Sequence, residues 1–544
     1  MPSHPISIWR RSPNKLRQGE IWLEWFCFIG LLFAALVLFL INLGDLPLLD
    51  LNEATLAQVA KEISQGTSWS NWIFPTLWGE PYLEQPPIVP GLIAIAYKIA
   101  GSSEFTTRLP GALLGAASVL ILYEIGREIF VTRLPALFSA LVYLTCLPVV
   151  RFGRLATLDG PLLCFELLTI WAVLRSRRDL RWALVAGVSL GLMSLTKGLL
   201  SVQILVIIVL FLWWDTPRLI TSAYFWGGLI LGAAPGISWY VWEWFRYHEL
   251  KTNQDFLHLF LGSASPLAEL GLPVEYYLIQ TLQYFLPWLM VMFAGVKLIG
   301  QNIHWGWGRL LGTWLGGYFV LGFLLLPQDY WSVLPLYPAL ALAAGKQLDL
   351  IRNLPSAVAY PRVWVYGFAV MAIVAVGAGF YWGVANYIDF YLPFICGSFA
   401  ITFAATAVVI AQQEKQFIPL LFWGLFVSIF LLVISPHWIW ELKTVEPIEP
   451  IANLVRQHTP ANTIVYSSMS TRPSLSFYSD RQVVSLSTAE LQQRWQHDSM
   501  VYLLIDSATQ EKLNLSKQAI IKNSQSSSNW SLAIKNYQAQ PDKL

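Results

Sequence analysis

The feature that most constrains this chain is the recurrence of uncharged apolar stretches of near-membrane length. Phe26–Leu43, Leu199–Trp214, Tyr224–Trp239 and Phe417–Ile434 each approach the roughly 20 apolar residues that cross a bilayer. In hydrocarbon every backbone N–H and C=O must find an internal partner, so such segments fold as helices. Only 12% of the 544 residues are charged, against about 25% in soluble domains. The first stretch has no small-residue cleavage pattern and further spans follow it, so it reads as a retained anchor rather than a signal peptide. Cys27, Cys146, Cys164 and Cys396 all fall inside apolar segments and read as small hydrophobes. The net charge of +2 says nothing about nucleic acid, but no basic patch appears beyond those a membrane explains, so no nucleic-acid partner is expected.

The positive charges set the orientation. Arg10, Arg11, Lys15 and Arg17 put a basic tail, residues 1–20, in the cytoplasm. The first span then delivers Asp45 and an acidic loop to the outer side. Ile88–Ala100 is short for a span and contains Lys98, so it reads as a surface or re-entrant helix. Counting it as a span would put the run Arg175–Arg181 outside, against the positive-inside rule. In this register Arg127 and Arg133, Lys346–Arg362 and Gln412–Lys415 are internal. Arg151–Asp159, Lys197 and a large loop at 242–278 are external. The total is about 13 spans, with the C-terminus outside. The expected class is an α-helical polytopic membrane protein with a membrane domain at 21–439 and outer loops at 45–109 and 242–278. The setting expected is a bacterial plasma membrane, with the C-terminus periplasmic or otherwise extracytoplasmic.

From about residue 440 the composition turns polar. Pro447–His458 reads as a helix, Thr463–Ser468, Gln482–Leu486 and Met500–Asp506 as strands, and Ser487 with Glu490 as a capping box. Alternating strand and helix predict a small extracytoplasmic α/β domain over 440–544. The serine-rich stretch after Ser524 is read as loose.

Polar residues gather in two outer places. The first runs from Asp50, Asn52 and Glu53 to Glu80, Glu84 and Gln85. In NEATLAQVAKEI, Asn52 is a natural N-cap, and Leu56, Val59, Ala60 and Ile63 share one helical face. The plainer reading is an interfacial helix whose acids are merely solvated. The second is RFGRLATLD, where Asp159 stands at the mouth of a span. A carboxylate there usually has a partner or a task, although a helix N-terminal acid favoured by the dipole is the simpler alternative. Arg151, Arg154 and Lys197 lie on the same side, either as phosphate ligands or as snorkelling anchors.

In order along the chain, NEATLAQVAKEI, GEPYLEQPP, EFTTRLPGALLGAASVLILYEIGREIF, GRLATLDGPLL and LTKG resemble the polyprenyl-phosphate-dependent glycosyltransferases of the GT-C type. Among these, the likeness is to the bacterial aminoarabinose transferases of lipid A and the dolichyl-phosphate-mannose–protein mannosyltransferases. LPLYPALALAAG (Leu334–Gly345) resembles one of their later spans, so the likeness covers roughly residues 45–345. It implies about 13 transmembrane helices and sugar transfer from a lipid phosphate outside the cytoplasm. Relatives carry Asp-Glu where this chain has Asn52-Glu53, and Glu-Lys-Pro where it has Glu84-Gln85-Pro86. A basic residue commonly stands near the position of Gln328 in PQDYWSVLP, and Gln328 and Tyr330 join Glu84 and Gln85 as candidate substrate-binding residues. An amide can ligate a metal or bond a sugar but cannot act as a general base.

The resemblance therefore implies an inverting transfer in which Glu53, Asp50 or Asp159 orients or deprotonates the acceptor. Arg154 and Lys197, with Arg151 or His258, would carry the phosphate charge. A divalent metal between Asp159 and Asn52 would be compatible, although two or three oxygen ligands are a weak metal signature. The implied partners are a polyprenyl-phosphate sugar donor, membrane lipids and an acceptor that is a lipid, a glycan or a protein. Two rivals remain: a lipid transporter, and an altered member serving as a membrane scaffold or sensor.

Overall fold

The computed structural model describes residues 18–247, 285–325, 333–355, 359–385, 390–444, 446–461, 463–513, 520–522 and 530–535. His258, Gln328, Tyr330 and most of the expected loop at 242–278 lie outside these residues. Among the described residues five helices are long and apolar enough to cross a membrane: Ile21–Leu40, Glu104–Ile129, Arg362–Val384, Tyr391–Ala411 and Phe417–Ile434. A sixth candidate is the pair Arg133–Leu144 and Leu147–Arg154, bent by 60°. Ile88–Ala100, Trp182–Ser194, Leu200–Asp215 and Leu289–Gln301 are shorter apolar helices.

The membrane helices pack through small residues, as expected where burying apolar surface gives no advantage over lipid. Trp182–Ser194 lies against Ala223–Tyr247 so closely that a Cβ on Gly187 would sit 2.3 Å from the Leu229 carbonyl oxygen. A Cβ on Gly232 would meet the Leu184 carbonyl oxygen at 2.5 Å. Trp288, Trp314 and Trp438 are among the largest fully buried side chains.

The first loop departs from its expected form. The helix over Thr55–Gln65 is present, with Leu56, Val59, Ala60 and Ile63 buried, but Asn52 does not cap it. A π-turn over Asp50–Ala54 leads into it instead, closed by the Ala54 N–H to the Leu49 carbonyl at 2.9 Å. The wider turn leaves Asn52 exposed and turns Glu53 inward. Behind it, strands Thr76–Leu77 and Glu80–Pro81 form a hairpin across Trp78 and Gly79, both with positive φ. That is the backbone of a type I′ turn, which usually favours Asn-Gly. Glu62 holds it, accepting from the Thr76 hydroxyl at 2.8 Å and the Trp78 N–H at 2.6 Å.

RFGRLATLD is not an open polar loop. Leu147–Arg154 is a buried helix, and only four residues separate it from the helix Asp159–Ser176.

Beyond the last membrane helix a five-stranded sheet runs in the order 482–485, 464–467, 502–506, 530–534, 520–522. The first three strands are parallel and the last two antiparallel. The capping box forms at Ser487, whose N–H donates to Glu490 at 2.8 Å. The strand Trp530–Ile534 was not foreseen, because the serine-rich stretch before it hides a short apolar run. Leu532 and Ala533 are fully buried where that strand pairs with Tyr502–Asp506.

The helix Pro473–Ser479, between the first two of these strands, sits on the first loop. Asp50 pairs with Arg472 at 2.9 Å and accepts from the Ser474 hydroxyl, and Lys61 pairs with Asp480 at 2.8 Å. Phe477 packs with Leu48, Ala54 and Ala57.

Candidate active site

Two ion pairs of different construction lie close together where the first loop meets the membrane helices. In the first, Glu53 and Arg108 are both fully buried. Arg108 stands in the second turn of Glu104–Ile129 and uses all five of its N–H donors. Two go to Glu53, at 2.8 and 2.7 Å. The others reach the carbonyls of Leu43, Leu46 and Pro47. Glu53 accepts two further bonds, from the N–H of Leu49 at 3.0 Å and of Ala156 at 2.7 Å. Burial by itself would raise the Glu53 pKa, but the Arg108 charge and these hydrogen bonds outweigh it and hold the carboxyl below its usual range. A carboxylate so saturated is a poor base. It fastens the end of the first helix, the π-turn and the segment before Asp159 to one guanidinium.

The second pair is looser. Asp159 is 4% exposed and opens the 18-residue helix Asp159–Ser176. One oxygen accepts from the Thr157 hydroxyl at 3.0 Å, and the other faces the Lys197 ammonium at 3.5 Å. The Lys197 side chain is 26% exposed and stands at the N-cap of Gly198–Asp215. Two long helices therefore begin beside one another. Their positive dipole ends, together with Lys197, form an environment suited to an anion. The two pairs are joined through the chain, since Ala156, which donates to Glu53, lies three residues before Asp159, at most about 11 Å away.

Among the described residues, Gln58 Oε1, the Tyr82 hydroxyl and Gln85 Oε1 are buried without a hydrogen-bond partner. Tyr82 packs in one cluster with Leu56, Ala156 and Leu158. Buried polar atoms are rarely left unpaired, so this wall of the site suits a polar ligand. Glu84 is exposed.

Arg151 and Arg154, read as phosphate ligands, are committed to internal contacts. Arg154 caps the end of the first helix through the carbonyls of Leu38 at 2.6 Å and Ile41 at 2.8 Å. Arg151 pairs with Glu441 and stacks on Trp440 at 3.6 Å. Trp438 packs between Arg154 and Arg108, at 4.4 and 5.3 Å. The segment after the last membrane helix thus folds back over the site's arginines. Asp50 is likewise committed, to Arg472 and Ser474 at the start of the helix Pro473–Ser479. Among the described residues no three His, Cys, Asp or Glu side chains gather as a metal cage. The two oxygen donors read for a metal do not fit one, because a lysine already faces Asp159 and Asn52 points to the surface.

Arg108 escaped the sequence reading. Its signal was a lone arginine, in TTRLPG, at the head of a long apolar run.

With this geometry in hand, the likeness to known proteins can be placed. The family model for dolichyl-phosphate-mannose-protein mannosyltransferase matches residues 84–242. An undecaprenyl phosphate-alpha-4-amino-4-deoxy-L-arabinose arabinosyl transferase of Pseudomonas fluorescens is 27% identical over 346 residues. That match covers 58% of this chain and 59% of the relative, so the chain spans about three-fifths of that relative's length. An uncharacterized protein of Aquifex aeolicus is 23% identical, covering 84% of this chain and 87% of its own. Among solved structures, ArnT from Cupriavidus metallidurans bound to undecaprenyl phosphate superposes with a TM-score of 0.74 at 17% identity, over 95% of this chain and 99% of that one. The archaeal oligosaccharyltransferase AglB from Archaeoglobus fulgidus, in complex with an inhibitory peptide and a dolichol-phosphate, gives 0.53 at 11% identity, over 90% and 70%. The resemblance read from the motifs holds: in sequence and fold the chain is similar to the polyprenyl-phosphate glycosyltransferases of the GT-C type.

Proposed function

We propose that this protein transfers a sugar from a polyprenyl phosphate to an acceptor hydroxyl, with inversion, at the membrane face opposite the arginine-rich loops. The observation that carries the proposal is the under-coordinated Asp159–Lys197 pair at two adjoining helix starts. The acceptor oxygen bonds to the anomeric carbon as the bond from that carbon to the phosphate oxygen breaks. Asp159 accepts the hydroxyl proton. The departing electron pair stays with the phosphate, where Lys197 and the helix N-termini stabilise the growing charge. Glu53 and Arg108 are positioning residues that fix the segment carrying Asp159. Gln58, Tyr82 and Gln85 supply polar contacts for the sugar or its acceptor.

The names of the relatives support a pentose or hexose donor on a lipid phosphate, and a lipid, glycan or protein as acceptor. A frame of about 13 spans with an external C-terminus accords with the arginine pattern. Docking of the sheet on Asp50 and Lys61 supports an extracytoplasmic domain on the same side as the site. The test is reconstitution in liposomes with a panel of radiolabelled polyprenyl-phosphate sugars. Loss of label from one donor, with its appearance in a product, is expected. Retention of label by every donor, from protein that still binds polyprenyl phosphate, would favour the scaffold reading.

A further inference from the structure

At the opposite end of the membrane domain, a cavity of about 660 Å³ runs between the helices Gln18–Leu40, Arg133–Leu144 and Phe417–Ile434. Its direction can be read from the packing. Asn42 donates to the Ile434 carbonyl at 2.9 Å, so the first and last membrane helices run parallel with those ends together. Ala34, eight residues before Asn42, is then level with Phe426, eight before Ile434. The Phe138 and Phe422 rings stack at 5.8 Å. The cavity therefore runs from Lys415 and Arg352 at one mouth to Ala34 and Phe426 at its deep end, about 14 Å along the helix from Phe417.

Its walls are apolar and its mouth is basic. Most cations at that end of the bundle have a carboxylate: Arg127 meets Glu24, Arg175 meets Glu124, Arg178 meets Glu128 and Arg177 meets Asp215. Arg352 and Lys415 have no ion-pair partner among the described residues, and both are exposed. The turn that carries Lys415 is pinned to Tyr360, eight residues past Arg352, whose N–H donates to Gln413 at 2.6 Å. An apolar channel ending in two uncompensated cations complements one kind of membrane component, an acyl chain with an anionic head.

We propose that this groove holds one anionic phospholipid of the cytoplasmic leaflet. Its acyl chain lies along Leu141, Phe422 and Phe426, and Arg352 and Lys415 bind its phosphate. The site is separate from the sugar-transfer centre, which lies at the Asn42–Ile434 end of the same helices. The leaflet assignment follows the arginine pattern.

The test uses the full-length protein in detergent, titrated with phosphatidylglycerol, with phosphatidylethanolamine of identical chains, and with inorganic phosphate. Binding is read by native mass spectrometry and by the shift of the unfolding temperature. Wild type should prefer phosphatidylglycerol by roughly thirtyfold, the effect of two cations near a lipid surface. Phosphate alone should give no shift. R352Q/K415Q should bind both lipids equally, and the single exposed change Lys415→Gln should lose roughly fivefold if the double variant folds poorly. Lys197→Gln should keep the full preference, which separates this site from the donor site, and Ala34→Phe should weaken both lipids by filling the deep end. Equal binding of the two lipids by wild type, a shift with phosphate alone, or a preference undiminished from wild type in R352Q/K415Q or in Lys415→Gln would each overturn the proposal. Sugar transfer by R352Q/K415Q is expected at the wild-type rate.

Discussion

Glu53–Arg108 and Asp159–Lys197 are built from the same two charges, yet they differ in how completely each charge is satisfied. At the first pair every donor of Arg108 is used and Glu53 accepts four hydrogen bonds, with both side chains fully buried. At the second, the separation is 3.5 Å and the lysine is partly open. Saturation makes an ion pair structural, because any new ligand would have to displace a bond that already exists. An under-satisfied pair at two helix starts keeps attraction to offer to an incoming phosphate or hydroxyl. The contrast explains why the acid nearest the family motif is not the one assigned to proton transfer.

The largest expected effect is at the closed pair. Arg108→Met should cost about 3–5 kcal/mol of stability, because it strands a buried carboxylate. Thermal unfolding in detergent measures this. An unchanged unfolding temperature would mean that Glu53–Arg108 does not hold the site together. At the open pair the effect should fall on rate. Asp159→Asn should lower sugar transfer by about 10²–10³ while the unfolding temperature stays near wild type. A wild-type rate would reduce Asp159 to a helix-end acid, and a large loss of stability would make the two pairs alike.

Acid should act on the closed pair and on the docked sheet. Glu53 and Asp480 both have lowered pKa values. Burial opposes the shift at Glu53 and Arg108 overcomes it, whereas the Lys61 hydrogen bond is the main cause at Asp480. The stability each contributes is complete above its unfolded pKa, about 4.3 for Glu and 3.9 for Asp, and is lost as pH falls through the lower folded value. Unfolding measured from pH 7 downward should thus hold steady until about pH 4–5 and then decline. A decline beginning near neutrality would contradict this.

Smaller again is Asp50→Asn, which weakens the charged contact to Arg472 and Ser474. It should loosen the sheet by about 1–2 kcal/mol, seen as faster proteolysis between the last membrane helix and the sheet. The smallest effect is expected for Asn52→Asp. Its side chain is exposed while the neighbouring Glu53 turns inward, so transfer should stay within about twofold of wild type and the unfolding temperature should not move.

Several elements could be read from local sequence. The apolar runs gave the helices at Gln18–Leu40, Gly198–Asp215 and Phe417–Ile434, and the short length of Ile88–Ala100 distinguished it from the longer spans. Ser487 and Glu490 form their capping box because both partners lie within one turn. Local pattern failed where a distant partner decided the outcome. Arg151 and Arg154 look like solvent-facing cations until Trp438–Glu441, nearly 300 residues away, closes over them. Asn52 looks like a cap until Arg108 draws Glu53 inward and widens the turn.

The sequence by itself determined that this chain lives in a membrane, which of its loops are rich in arginine, and that Asp50, Glu53, Glu80 and Glu84 gather in one outer segment. Those properties depend on composition and on 3.6-residue periodicity, which every short segment carries on its own. Only the tertiary structure decided which charges are occupied and which are open. The state of a buried carboxylate depends on the donors that reach it. Here those donors come from Leu49, Arg108 and Ala156 for Glu53, and from Thr157 and Lys197 for Asp159, brought together by helix packing that no local pattern encodes.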